Sequence, residues 1–178
     1  NKYPDDDWDN VFNLSNILKT VNAEKFVLIS TIDVYQNSLV GDETTVQYID
    51  KGHPYGYNRL WFEREMQAHF PNCLVVRLPG LFGKGLKKNV IYDLLHGNCL
   101  ESINVDSKFQ WYDIENLWRD IQIAIAAGIS VVNLFPEPLR TGDIVDRFFR
   151  DKYKDLGRSS SVSINYSLKT IHHHLYDG

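Results

Sequence analysis

The chain has 178 residues, with 43% hydrophobic and 24% charged side chains, which suits one folded domain and excludes a disordered or fibrous protein. Its 19 Lys and Arg against 23 Asp and Glu give a formal net charge of −4, so it lacks the basic surface that sequence-independent binding of DNA or RNA requires. No apolar run approaches the ~20 residues of a bilayer span. Cys73 and Cys99 are too few for a disulfide framework and show no C-x-x-C spacing. Both are expected to be reduced structural residues of a cytoplasmic protein. The start, Asn1-Lys2-Tyr3-Pro4 followed by three aspartates, is too polar for a signal peptide and does not open on Met. A fragment of a longer protein, or a processed product, is therefore one expectation.

Asp5, Asp6 and Asp7 precede Trp8, Val11, Phe12, Leu14, Ile17, Leu18 and Val21 in helical spacing, which predicts a helix over 6–21 with its acidic end at the positive pole of the dipole. The continuous apolar run over 25–30 predicts a strand buried on both faces, as in a parallel sheet covered by helices. A long surface loop is expected over 36–53. Pro54 opens a second helix that Pro71 ends, and 73–78 is a second buried strand. A glycine-rich turn follows over 79–85, then a helix over 89–96 stopped by Gly97. Asp113 can cap a helix through 127, a third strand covers 131–135, and Thr141 can cap a last helix over 142–150. Beyond 151 the pattern weakens. The serine-rich stretch 158–163 reads as a connection, and 164–175 as an edge strand or short helix. Trp111, Tyr112 and Trp118 read as core and interface aromatics.

This alternation predicts an α/β fold, a Rossmann-like parallel sheet flanked by helices with right-handed crossovers. The reading assigns 1–150 to the catalytic region and 151–178 to a C-terminal extension of the same domain. Ligands of such sheets bind outside the carboxyl ends of the strands. That directs attention to Ser30 and Thr31, to 78–83, and to the loop after Phe135.

Tyr55 and Arg59, four apart at the start of a helix, share one face. A fixed cation beside a phenol favours the ionised form, and a threonine hydroxyl at the tip of the neighbouring strand can orient a carbonyl or alcohol against it. Together they make an acid/base unit for a carbinol or ketone oxygen. The alternative for Gly80-x-x-Gly83-x-Gly85 is a phosphate cradle, set aside because no acidic ribose-binding residue follows at the end of a next strand. Lys84, Lys87 and Lys88 read as a solvated face. His172, His173 and His174 are adjacent and do not converge on one metal.

The run Ser30-Thr31-Ile32-Asp33-Val34-Tyr35 resembles the Ser-Ser-x-x-Val-Tyr segment of the extended short-chain dehydrogenases/reductases, the NAD-dependent epimerase/dehydratase family, and Pro54-Tyr55-Gly56-Tyr57-Asn58-Arg59 resembles its Pro-Tyr-Gly-x-Ser-Lys. Asn10-x-x-Asn13-Leu14-x-Asn16, Glu63, the turn from Arg77 to Gly83, the segment from Asp113 to Leu117, and Val132-Asn133-Leu134 resemble further family segments in the family's order. The resemblance implies Tyr55 as the general acid/base, Thr31 as the catalytic hydroxyl, and Arg59 in place of the family's Lys. It implies that Ser30, Tyr55, Arg59, Pro79, Gly80 and Leu81 contact NAD or NADP, with Asp33 and Phe82 toward a sugar-like or polyhydroxy substrate. Gly80 replaces a frequent Asn, and Phe109 or Gln110 stands where an Arg clamps a sugar-nucleotide diphosphate. The family's opening strand, glycine-rich fingerprint and helix have no counterpart in this sequence, so a truncated relative is expected.

Three readings follow. The first is an NAD(P)-dependent epimerase, dehydratase or reductase acting on a small molecule, with no nucleic-acid or membrane partner. The second is a catalytically inactive relative serving as a binding or self-associating module. The third is an incomplete piece of a longer enzyme. A sheet lacking strands exposes an apolar edge, so a homo-oligomer is also expected.

Overall fold

The computed structural model describes residues 4–35, 40–45, 52–156 and 162–176. In chain order the elements are α1 (Pro4–Leu18), β1 (Phe26–Thr31), β2 (Val40–Gly41), α2 (Pro54–His69), β3 (Cys73–Leu78), β4 (Gly80–Phe82), α3 (Val90–His96), β5 (Lys108–Phe109), β6 (Trp111–Asp113), α4 (Leu117–Ala126), β7 (Val131–Asn133), β8 (Leu139–Arg140), α5 (Thr141–Phe148) and β9 (Ser167–Leu168). A 3-10 turn, Ile32–Tyr35, continues directly from β1.

The central sheet is parallel in the order β1-β3-β7, and its register sets Thr31 beside Leu78 and Arg77 beside Asn133. Strand β3 is buried at every position, as its unbroken Cys-Leu-Val-Val-Arg-Leu requires. Its alternate side chains serve opposite faces. Cys73 and Val75 pack with Val11 of α1 and with Phe62 and Met66 of α2. Leu74, Val76 and Leu78 pack with Ile121 and Ala124 of α4 and with Val132 of β7. Each such fully buried side chain contributes roughly 1.5–3 kcal/mol, and these two layers hold helices on both faces of the sheet.

The sheet and α2 are also tied by charge. Arg77 of β3 and Glu63 of α2 form a salt bridge, Nη2 to Oε2 at 2.8 Å, with side chains only 5% and 2% exposed. Nη1 of Arg77 donates to the Tyr35 hydroxyl at 3.1 Å, and Nδ2 of Asn133 donates to the same oxygen at 2.6 Å. Asn133 Nδ2 also donates to the Lys169 carbonyl, while Glu43 accepts from the Asn133 backbone and from the Thr170 hydroxyl. Burial opposes the charge of Arg77, but the bonds and charge of Glu63 outweigh it and hold the guanidinium above its ordinary range.

Several expectations are corrected. Strand β1 is not buried on both faces: it lies at the sheet edge, its Leu28 and Ser30 turn inward, and Ile29 is 47% exposed. Helix α1 starts earlier and ends at Leu18 rather than Val21, because the hydroxyl and backbone N–H of Thr20 both take the Ile17 carbonyl. The third strand stops at Asn133, short of 135, and Pro136 follows, unable to donate to a ladder. Thr141 is the first residue of α5 rather than its cap, and its hydroxyl is buried without a partner among the described residues. Cys99 and Trp118 are exposed, whereas Cys73, Trp111 and Tyr112 are buried. Strands β2, β4, β5, β6 and β8 fall where turns or irregular chain are expected. Of the loop over 36–53, residues 36–39 and 46–51 lie outside the described residues, as do 158–161 of the serine-rich connection. The expected strand or short helix over 164–175 contains both, β9 paired with β2 and a 3-10 turn at His173–Leu175. Gln110 anchors this segment by accepting from the Leu168 N–H and donating to its carbonyl. Among the described residues no helix is long and apolar enough to cross a membrane.

Desolvation raises the phenols of Tyr35 and Tyr112 above their ordinary value and pushes that of Tyr176 up to about 12. An unfolded chain loses these protons near pH ~10, while the folded chain retains them. The stability they contribute is therefore complete below that pH and is lost as pH rises through the folded values. Thermal melts are expected to hold steady through neutral pH and fall between about pH 10 and 12, together with a rise in phenolate absorbance. A melting temperature that is flat across that window contradicts this.

Candidate active site

The carboxyl ends of β1 and β3 lie side by side, so Thr31 and Pro79 leave the sheet next to each other. Thr31 turns its side chain opposite to Ser30, on the partly open side of β1. Its hydroxyl donates to Asp33 Oδ2 at 3.1 Å and accepts the Asp33 N–H at 3.2 Å. The first turn of α2 is pressed against this corner. A side chain at Gly56 would collide with the Asp33 carbonyl and the His53 ring, so glycine is what lets the first turn of α2 approach. His53 Nδ1 accepts the Gly56 N–H at 3.1 Å and caps the helix, with Pro54 entering its first turn.

Tyr55 and Arg59 meet as their spacing predicts, with the guanidinium 4.6 Å from the ring centroid. A second charge enters here that sequence pattern does not disclose. Arg59 Nη2 donates to Asp7 Oδ1 at 2.8 Å, and Asn58 Nδ2 donates to Asp7 Oδ2 at 2.7 Å. Asp7 on α1 thus holds two successive residues of α2 with a single carboxylate. The only prior signal was its place in an acidic first turn, which the helix dipole alone explained.

The remaining sequence-predicted residues divide. Pro79 is buried, and Gly80 and Leu81 are half-buried in β4, which pairs in parallel with β6. A Cβ on Gly80 would lie 2.9 Å from the Trp111 ring, which is why the family's larger residue does not fit. Phe82 is exposed at the end of β4. Ser30 is buried toward α2, and its hydroxyl has no partner among the described residues. Gln110 is committed to the Pro136 carbonyl and to Leu168, so it holds structure rather than a phosphate. Tyr35 and Asn133, read only as motif members, prove to complete the buried network around Arg77.

No protein-family model and no curated protein sequence matches the chain. Solved structures do. WbmG of Bordetella bronchiseptica, in complex with NAD, superposes with TM-score 0.68 at 14% identity, covering 95% of this chain and 60% of its own. TunA, an NAD-dependent NDP-hexosamine 5,6-dehydratase, gives 0.66 at 19% identity, with 94% and 59% covered. A UDP-galactose 4-epimerase gives 0.66 at 17% identity, with 91% and 59% covered. The chain has the fold of the NAD-dependent epimerases and dehydratases. It spans about three-fifths of the length of these three structures. Within the epimerase/dehydratase fold, the corner formed by Thr31, Asp33 and the first turn of α2 occupies the carboxyl edge of a parallel sheet, where such sheets place ligands.

Asp7→Ala is expected to cost about 1–3 kcal/mol in urea unfolding, because it leaves the buried Asn58 amide without an acceptor. Asp7→Asn keeps an acceptor oxygen and loses only a partly exposed ion pair, for under about 1 kcal/mol. Equal losses in the two variants would show that Asn58 does not depend on this carboxylate.

Proposed function

We propose that this chain carries the acid/base part of an NAD(P)-dependent epimerase, dehydratase or reductase acting on a sugar-like or other polyhydroxy substrate. The observation that supports the reading is the close approach of Gly56, in the first turn of α2, to the Asp33 carbonyl, with Arg59 over the ring of the adjacent Tyr55. The epimerase/dehydratase fold supports it, as does NAD in the complex of WbmG.

The residues present fit the nicotinamide end of such a cofactor in their chemistry: a cation at Arg59, a phenol at Tyr55, and backbone groups over 79–81. NAD(P), when bound, supplies hydride transfer. Tyr55 exchanges a proton with the substrate oxygen whose carbon gains or loses that hydride. Arg59 keeps a positive charge over the phenol ring. Thr31 must release its hydroxyl proton from Asp33 to donate it to the same substrate oxygen, so Asp33 is the group that substrate displaces. Arginine in place of lysine offers a planar fork instead of a point charge, which Asp7 engages at one nitrogen.

A second reading, a self-associating or binding module without turnover, is favoured by the edge of β1 that pairs with no strand among the described residues and by the exposed Ile29 within it. In that reading a second copy pairs along β1. We place the protein in the cytoplasm on its sparse cysteines.

Tryptophan-fluorescence titration with NADH and NADPH separates the two readings. The enzyme reading expects saturable quenching below about 1 mM with one of them, and it expects Tyr55→Phe to keep that affinity while abolishing turnover. Absent binding, or a Tyr55→Phe variant with full turnover, would remove Tyr55 from the chemistry.

A further inference from the structure

The loop after Phe135, the third place that the strand-end rule singles out, borders a cavity of about 580 Å³ that none of Thr31, Tyr55, Arg59 or 79–82 lines. Its size falls in the range of small-molecule sites. It lies beyond the carboxyl end of β7, between the 134–138 loop, the start of α4 and the 167–176 segment. Leu134, Phe135, Pro136, Pro138 and Leu168 give it apolar walls.

Two features of its polar lining point to a ligand. The first is Asn133, fully buried, whose Nδ2 is spent on Tyr35 and Lys169 while its Oδ1 has no partner among the described residues. A buried acceptor left unmatched costs roughly 1–3 kcal/mol, which a hydroxyl or N–H donor would recover. The second is a pair of exposed cations at the mouth, Arg119 and Lys169, alongside the carboxylates of Asp120 and Glu137. Arg119 uses only Nε, on Asp120, and Lys169, His173 and Glu137 are exposed. Asp120 itself is occupied, accepting from the Tyr112 hydroxyl at 2.6 Å and from Arg119.

We propose that this cavity is a second ligand site, separate from the Tyr55 corner, for a small hydroxylated organic anion. Asn133 Oδ1 accepts from a ligand hydroxyl, the apolar walls take its carbon face, and Arg119 and Lys169 take its carboxylate or phosphate. The proposal does not rest on the oxidoreductase reading and survives its failure.

The test is a titration of the isotope-labelled chain, followed through the Asn133 side-chain amide and the Lys169 backbone amide by NMR. D-Gluconate and D-glucose 6-phosphate are the probes, with glucose and inorganic phosphate as controls for hydroxyls without charge and charge without hydroxyls. Saturable shifts with either probe below about 1 mM, at least tenfold weaker for both controls, are expected. Arg119→Ala/Lys169→Ala changes exposed side chains only and should fold, with binding weakened at least tenfold (about 1.4 kcal/mol). No saturation by either probe up to about 10 mM, controls that bind as well as the probes, or unchanged affinity in the double variant overturns the proposal.

Discussion

A guanidinium and a carboxylate that have both left water set the geometry of this molecule. Arg77 stands in the middle strand and Glu63 on the helix that carries Tyr55, two helical turns beyond it. Removing charges from water is costly, and an ion pair in such a place is tolerated only when its remaining hydrogen-bonding capacity is met. Here Tyr35, from the turn after β1, accepts from Arg77, and Asn133 of β7 donates to the same Tyr35 hydroxyl. The network therefore joins three adjacent parallel strands and one helix through four side chains. Apolar packing of Met66 and Phe62 brings α2 to the sheet but is non-directional. The ion pair adds the direction, setting how far along β3 the helix can slide.

That restraint reaches the candidate site through short covalent links. Tyr35 ends the turn that begins with Ile32, one residue after Thr31, and Asn133 borders the second cavity. The buried network thus lies between two concave regions at one edge of the sheet. Asp7 works on the same helix from outside, through Asn58 and Arg59, so α1 and β3 both grip α2 close to its active end.

The sequence discloses these features unevenly, for physical reasons. Strand β3 is legible because a strand covered on both faces reads as a near-continuous apolar run, broken here by Arg77 alone. The pairing of Tyr55 with Arg59 is legible because helical periodicity dictates it. The two-residue strands are not, since β5, β8 and β9 exist only through partners 30 to 127 residues away in the chain, and short-range pattern is blind to them. The bond from Arg59 to Asp7 spans 52 residues and escapes for the same reason. Ile29 misleads differently. Its apolar character fits a strand covered on both sides, but β1 is the sheet's edge, and edge position is a property of the assembled sheet rather than of the six residues themselves.

A double-mutant cycle in urea on Glu63→Leu, Arg77→Met and the combined Glu63→Leu/Arg77→Met chain measures the restraint itself. Each single change should cost about 3–5 kcal/mol by stranding the other member's charge, and the combined change should cost far less than their sum. Single losses that simply add, or that stay under about 1 kcal/mol, would mean that apolar packing alone seats the helix.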